Sequence, residues 1–269
     1  MKTTIIINPQ YSFLESFIND VPNIFIEQGA TIYDSRNVIK VFDIDGIQIN
    51  VKRYHAPKGL NKLIYSFFRI SKGLRAYQYP TTLLKEGIET PQPIAYIEFR
   101  KYGLIDYSYF ISKHCTYKHR LYEIGNASKG TYEELAVALA QNTAKMHEAQ
   151  ILHKDYSPGN ILFEKINGEY KFSVVDINRM YFGPVNREKG CANFARLWGP
   201  KDFFIILAKE YARIRHFDEN ECIRLVLFYR ARFWKRYGRK HEIEFNNGIG
   251  DEWRGMIETQ NFASLRLSM

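Results

Sequence analysis

Three dipeptides constrain this chain more than any other feature: Asp45-Gly46, Tyr102-Gly103 and Asn167-Gly168. Each stands between two runs rich in β-branched and aromatic residues, where a two-residue turn with positive φ at its centre closes a hairpin. The flanking runs are residues 38–42 and 47–53, 93–99 and 106–113, and 161–165 and 170–175. They predict three antiparallel strand pairs, two of them in the first half of the chain.

Between the first two hairpins, residues 60–84 carry Leu63, Ile64, Phe67, Phe68 and Leu74 at mostly helical spacing. This predicts a helix whose apolar side packs on the sheet, and residues 89–93 (Glu-Thr-Pro-Gln-Pro) end it. The second half turns helical. Thr131-Tyr-Glu-Glu134 has the form of a capping box opening a helix from Tyr132 to about Ala149, with Leu135, Leu139 and Met146 facing inward. Residues 201–239 hold two more helical patterns, the second ending near Gly238. Antiparallel strands followed by helices predict an α+β protein of two lobes.

Charge is localised. The net charge is +9, from 38 Lys+Arg against 29 Asp+Glu. Residues 46–85 contain eight basic residues (Lys52, Arg53, Lys58, Lys62, Arg69, Lys72, Arg75, Lys85) and no acid. Residues 222–241 contain seven more (Arg224, Arg230, Arg232, Lys235, Arg236, Arg239, Lys240), again with no acid. The rest of the chain therefore carries 23 basic residues against all 29 acids and is mildly acidic. Two basic segments on an acidic body point to a polyanionic partner or an anionic membrane surface. Cys115, Cys191 and Cys222 are odd in number and widely spaced, so they predict neither a disulfide framework nor a zinc site and favour a reducing cytoplasm. No apolar run approaches the ~18 residues that span a bilayer, and the Ile5-Ile6-Ile7 block is too short for a signal peptide.

The chemistry concentrates in His153-Lys-Asp155-Tyr-Ser-Pro-Gly-Asn160, followed after a hairpin by Val174-Val-Asp176. Asp155 suits a base that takes a proton from a hydroxyl. Asn160 and Asp176 are hard oxygen donors of the kind Mg²⁺ accepts beside phosphate and water. The intervening hairpin is what would return Asp176 towards Asn160. A carboxylate, an amide five residues on and a second carboxylate beyond a hairpin form the arrangement of phosphoryl-transfer enzymes.

On these residues, with Met146-His147 upstream, the chain resembles the kinase-like phosphotransferase superfamily. More closely it resembles the Kdo/WaaP lipopolysaccharide kinase family. That resemblance also rests on Arg36-Asn-Val-Ile-Lys-Val-Phe-Asp-Ile-Asp-Gly46 running into Ile49-Asn-Val-Lys52-Arg-Tyr, on Leu84-Lys-Glu-Gly-Ile-Glu-Thr-Pro-Gln-Pro-Ile-Ala-Tyr96, and on Asp176-Ile-Asn-Arg-Met180. It implies a bilobal protein-kinase-like fold: an N-terminal ATP-binding lobe over 1–115, an antiparallel sheet with a helix, and a mainly helical catalytic lobe over 116–269 ending in a basic tail. It implies ATP and Mg²⁺ as cofactors. Lys52 would hold the α/β-phosphates, Asp155 would be the general base, and Asn160 and Asp176 the metal ligands. Ser112, Lys113, His114 and Cys115 would be the hinge that meets adenine. Arg179 would bind an acceptor anion or anchor the segment after Asp176. The acceptor would be a sugar hydroxyl of a glycolipid, Kdo or heptose of the lipopolysaccharide inner core. The enzyme would be cytoplasmic, with peripheral contact at the cytoplasmic face of the inner membrane left open and nucleic acid not expected as a partner.

The chain departs from the kinase pattern in four places. No Gly-x-Gly-x-x-Gly precedes the second strand; residues 33–37 stand there, with Gly29 upstream and Ser35 or Arg36 as stand-ins. No Glu lies between Gly46 and Lys85 to orient Lys52, leaving Gln78 or Glu86 as substitutes. Asp176-Ile-Asn178 replaces Asp-Phe-Gly. Ser157 and Gly159 replace the Lys and Arg by which protein kinases mark their acceptors, which favours a small-molecule or glycolipid acceptor. The alternatives are an atypical small protein kinase, or a pseudokinase acting as a binding module. His153 is read as structural, and Arg187, Lys189 and Arg196 as a solvated face or local anchors.

Overall fold

The computed structural model describes residues 1–35, 37–57 and 59–242, with the backbone alone at residue 61. Arg36 and Lys58, and residues 243–269 of the expected C-terminal lobe, lie outside the described residues. The chain sorts into two compact units: Met1–Thr116 with Ser173–Arg179, and Tyr117–Phe172 with Met180–Met269.

The first unit is built on six strands: β1 (Lys2–Ile7), β2 (Ala30–Asp34), β3 (Asn37–Ile44), β4 (Ile47–Tyr54), β5 (Pro93–Lys101) and β6 (Leu104–Lys113). They form one antiparallel sheet in the order β1-β5-β6-β4-β3-β2. Both expected hairpins are present, and their turns have the backbone their residues foretold. Asp45 and Gly46 sit at φ 52° and 77°, and Tyr102 and Gly103 at 53° and 78°. Asp43 Oδ1 accepts the Gly46 N–H at 3.0 Å and tightens the first turn.

The N-terminal segment adds what periodicity had not foretold. β1 pairs with β5, and helix α1 (Glu15–Ile24) lies on one face of the sheet. There Leu14, Ile18, Val21 and Phe25 join Ile49, Val51, Ile97 and Ile111 in the core. Each such side chain, fully buried, contributes about 1.5–3 kcal/mol. Helix α3 (Lys72–Lys85) covers part of β5 and β6, and Gly73 stands so close that a Cβ there would meet Tyr96 at 2.7 Å. β5 is therefore buried on both faces through Phe99, which explains why it reads as a continuous apolar run.

The single helix expected over residues 60–84 is broken. A short helix α2 (Leu60–Leu63) runs into a π-helical turn (Ile64–Phe68), and the chain restarts at α3. Ser71 causes the restart: it is extended, and its Oγ accepts the Leu74 N–H at 3.2 Å as an N-cap. The break also overturns the expected burial, because Leu63, Ile64, Phe67 and Phe68 are exposed to solvent rather than packed on the sheet.

In the second unit α4 (Glu133–Glu148) packs on α6 (Lys201–Arg215), and α6 on α7 (Glu219–Tyr237). α4 is the helix predicted over residues 132–149, with Leu135, Leu139 and Met146 buried. Its cap differs from the expected box. Glu133, one residue earlier than the box requires, accepts the N–H groups of Gly130 and Tyr132, while the Thr131 hydroxyl donates to Ser128 O. Short strands complete the unit: β7 (His119–Arg120), β8 (Ile151–His153), β9 (Ile161–Ile166), β10 (Glu169–Val174) and β11 (Met180–Phe182). The third hairpin is β9–β10, with Asn167 and Gly168 at φ 53° and 83°. Helix α5 (Arg187–Asn193) follows β11.

One residue of the second basic segment is removed from the surface. Arg230 is fully buried, donates to Gly199 O at 2.5 Å and lies 4.2 Å from the centre of the Phe204 ring. Burial pulls its pKa down to about 9. It serves the packing of α7 and offers nothing to a polyanion.

Candidate active site

In the first unit the site begins at β4. Lys52 stands opposite Ile39 on one side and Phe110 on the other, and its Nζ lies 2.5 Å from Oδ1 of Asp176. The Asp176 segment is held to this unit through residues 89 and 90. The Val174 N–H donates to Glu89 O at 2.9 Å, and the Thr90 hydroxyl to Val174 O at 2.7 Å. Asp176 itself has φ 56°, the left-handed region that is uncommon outside glycine. Such backbone costs about 1–3 kcal/mol and clusters at functional sites.

Two neighbours hold the pair. Asn178, almost fully buried, donates its Nδ2 to the same Asp176 Oδ1 at 2.6 Å. Tyr54 is two residues after Lys52 and hence on the same face of the strand; its ring centre lies 5.0 Å from Nζ. Its hydroxyl is electrostatically coupled to Lys52. Burial alone would lower the Lys52 pKa, but Tyr54 and Asp176 outweigh it and raise it above the ordinary value. Burial raises that of Tyr54. The lysine is thus a largely covered, charged group, its side chain 12% exposed. Its partners are Asp176 and Tyr54. Gln78 and Glu86, expected as substitutes for the helix glutamate, are exposed and are not among its partners.

In the second unit the loop after β8 holds Asp155. The Asp155 N–H donates to His153 Nδ1 at 3.1 Å, and the Asp155 carbonyl accepts from Ser157 N and Asn160 Nδ2, each at 2.8 Å. His153 is completely buried, and its own carbonyl accepts from Asn193 at 2.9 Å. His153 is therefore the loop's internal brace, as the sequence suggested. With its Nδ2 committed to the loop, Asn160 has its amide oxygen fixed in direction. The Asp155 carboxylate forms an ion pair with Arg196, in the 3₁₀ turn Phe194–Arg196. Arg196 in turn lies 5.6 Å from the Phe233 ring centre. Of the readings the sequence allows for Arg196, the anchor fits: it is the counterion of Asp155.

The other candidates fall as follows. Ser112 is buried in β6; the amides of Lys113 and His114 donate to Gln92 O and Gln48 O, each at 2.9 Å, and Cys115 is half-buried. Burial pulls the His114 pKa down. Arg179 is exposed at the end of the 3₁₀ turn after Asp176. Arg187 pairs with Glu221 at 3.6 Å and Lys189 lies 4.2 Å from the Tyr181 ring centre, so both are local anchors. Of residues 33–37, Tyr33 and Asp34 end β2, Asn37 begins β3, and Ser35 N donates to Asn37 O at 3.1 Å. Gly29 belongs to packing, for a Cβ there would meet the Phe42 ring at 2.7 Å.

Among the described residues no three His, Cys, Asp or Glu side chains gather into a metal site. Asp176 in the first unit offers a carboxylate and Asn160 in the second an amide oxygen, each by its chemistry a hard donor of the kind magnesium accepts.

The fold has a solved counterpart, a kinase-like one. A structure described as WaaP in complex with acyl carrier protein aligns with a TM-score of 0.57 at 15% identity, covering 89% of this chain and 100% of that chain. No curated protein sequence matches the chain. Residues 34–198 match the lipopolysaccharide kinase (Kdo/WaaP) family, well over half of the chain, which belongs to that family. Its members are phosphotransferases, and so is this protein.

Proposed function

We propose that the protein transfers the γ-phosphate of ATP to a sugar hydroxyl of the lipopolysaccharide inner core, on Kdo or heptose. The observation that carries the reading is the Lys52–Asp176 pair, a largely covered cation beside an oxygen donor, in a chain of this family. Lys52 meets the α/β-phosphates, and the segment from Ser112 to Cys115 borders adenine. Asp176 and Asn160 hold Mg²⁺, which would neutralise charge developing on the phosphates. Asp155 accepts the proton of the sugar hydroxyl as its oxygen bonds to the γ-phosphorus and the bond to the β-phosphate oxygen breaks, releasing ADP. Arg196 keeps the Asp155 carboxylate in place until the hydroxyl arrives, and Arg179 meets acidic groups of the acceptor.

The reaction takes place at the cytoplasmic face of the inner membrane, where such an acceptor is presented, with the protein in peripheral contact with that surface. Among the described residues no helix is long and apolar enough to cross a membrane.

The test has two steps. A thermal shift with ATP that requires Mg²⁺ establishes nucleotide binding. Transfer of phosphate to Kdo–lipid A, abolished in Asp155→Asn, then establishes the reaction. Labelling of peptides in preference to the glycolipid overturns the acceptor, and binding of ATP without turnover would make the protein a pseudokinase. Mass spectrometry of lipid A–core from cells with and without the gene, showing loss of one phosphate, places the reaction in the cell.

A further inference from the structure

The segment Leu60–Ile70 combines a fixed backbone with an apolar face open to water. Ser66 is buried and ties it down: its hydroxyl donates to Lys62 O at 2.6 Å and accepts the Ile105 N–H at 2.9 Å. Arg100 Nη1 donates to Ser66 O at 2.9 Å. Around this anchor the apolar side chains point away from the sheet. Leu60 is 79% exposed, Phe67 62%, Phe68 83% and Ile70 52%. The β5–β6 turn extends the same face, for a Cβ on Gly103 would touch Phe67 at 4.0 Å, and Tyr102 beside it is 91% exposed. Scattered exposed apolar residues are ordinary, but a contiguous group on a hydrogen-bonded segment marks an interaction surface.

Charge identifies what it meets. Arg69, Lys72 and Lys101 are exposed in or beside the segment, and residues 46–85 contain no acid. Of the two acids on β5 and β6, Glu98 is paired with Arg100 and Asp106 is half-buried. Protruding aromatic and aliphatic side chains ringed by cations are what the headgroup boundary of an anionic bilayer accommodates.

We propose that residues 60–70, with the Tyr102 turn, are the face by which the protein docks on an anionic membrane, Phe67 and Phe68 entering the boundary and Arg69, Lys72 and Lys101 meeting lipid phosphates. This deepens the peripheral contact stated above and rests on it, but not on phosphoryl transfer.

Flotation with phosphatidylglycerol-containing vesicles and with phosphatidylcholine vesicles tests it. Wild type floats with the former and not the latter, and its binding falls in high salt. The double variant Phe67→Ser/Phe68→Ser partitions at least about tenfold less, with unchanged thermal midpoint and unchanged transfer to a detergent-solubilised acceptor. In Phe68→Trp, brominated lipid quenches more emission than in wild type. If wild type floats and the double variant floats equally well, the docking face lies elsewhere and the inference falls while membrane contact stands. If wild type floats with neither vesicle, membrane contact and docking face fall together, and the phosphotransfer tests above are untouched. Binding of the patch to an acidic protein in place of vesicles also overturns it.

Discussion

Lys52 Nζ and Asp176 Oδ1 approach to 2.5 Å across 124 residues of sequence. The bond gives a kinase-type lysine a partner in a chain with no acid between Gly46 and Lys85. Lys52→Met is expected to lower turnover by about 10²–10³, the usual cost of removing one preorganised donor from developing charge. Steady-state ADP release checks this. An active Lys52→Met enzyme would remove Lys52 from the phosphate site.

Tyr54 is the second neighbour of Lys52, with its ring centre 5.0 Å from Nζ. Tyr54→Phe keeps the ring and deletes only the hydroxyl, which is electrostatically coupled to Lys52. The expected outcome is a higher KM for ATP, a smaller change in kcat, and a stability loss of about 1–2 kcal/mol for the unsatisfied partners. Denaturant melts and ATP titrations separate the two effects.

Arg196 and Asp155 act as a unit through their ion pair. Asp155→Asn should cost about 10²–10⁴ in rate, and Arg196→Ala a smaller factor with KM for ATP unchanged. In the double variant the arginine has no carboxylate left to hold, so its activity should match that of Asp155→Asn alone. Additive losses would show that Arg196 works on something other than Asp155.

His147 gives a pH dependence of stability. It is buried among α4, α5 and α6, with Nδ1 2.9 Å from the Tyr211 hydroxyl and Nε2 3.1 Å from Asn193 Oδ1. Arg215, which donates to that same Tyr211 hydroxyl, is the charged neighbour. Burial pushes its pKa down to about 3. As pH falls below about 6.5 the unfolded chain takes the proton first, so this stabilisation is complete above about 6.5 and is lost progressively towards 3, by at most about 1.4 kcal/mol per pH unit. Urea melts between pH 7.5 and 5 should show that slope. His147→Gln should start less stable and lose one proton's worth of it.

Gly190 tests the same core by volume. A Cβ there would stand 2.0 Å from the Tyr211 hydroxyl and 3.3 Å from His147 Nδ1. Gly190→Ala is expected to destabilise by about 1–3 kcal/mol, read as a lower thermal midpoint. Adding Tyr211→Phe should recover only part of it, since the hydroxyl in the way also bonds His147 and Arg215.

The hairpins and α4 were legible in the sequence because their signals are local: a dipeptide that admits positive φ, and apolar residues three and four apart. Asp155, Asn160 and Asp176 could be proposed from the sequence because spacing along one loop and one hairpin is what suggests their chemistry. Tyr54 was within reach, since two residues along a strand return to the same face. Arg196 was not, because its partner lies 41 positions upstream and no periodicity connects a turn to a loop. The exposure of Phe67 and Phe68 was hidden for a different reason. The 3–4 spacing says that apolar residues share a side of a helix, but Ser71 interrupts the helix and Ser66 fixes its preceding turn so that this side faces water.

The seven-residue excursion Ser173–Arg179 belongs to the first unit although the chain on either side of it belongs to the second. The polypeptide thus passes between the units three times, after residues 116, 172 and 179. A gene fragment ending at residue 116 omits the bearer of Lys52's carboxylate, and one starting at 117 carries that carboxylate without its lysine. Neither piece is a transferable module. A cut within 173–179 would divide the first unit although it falls between stretches of the second.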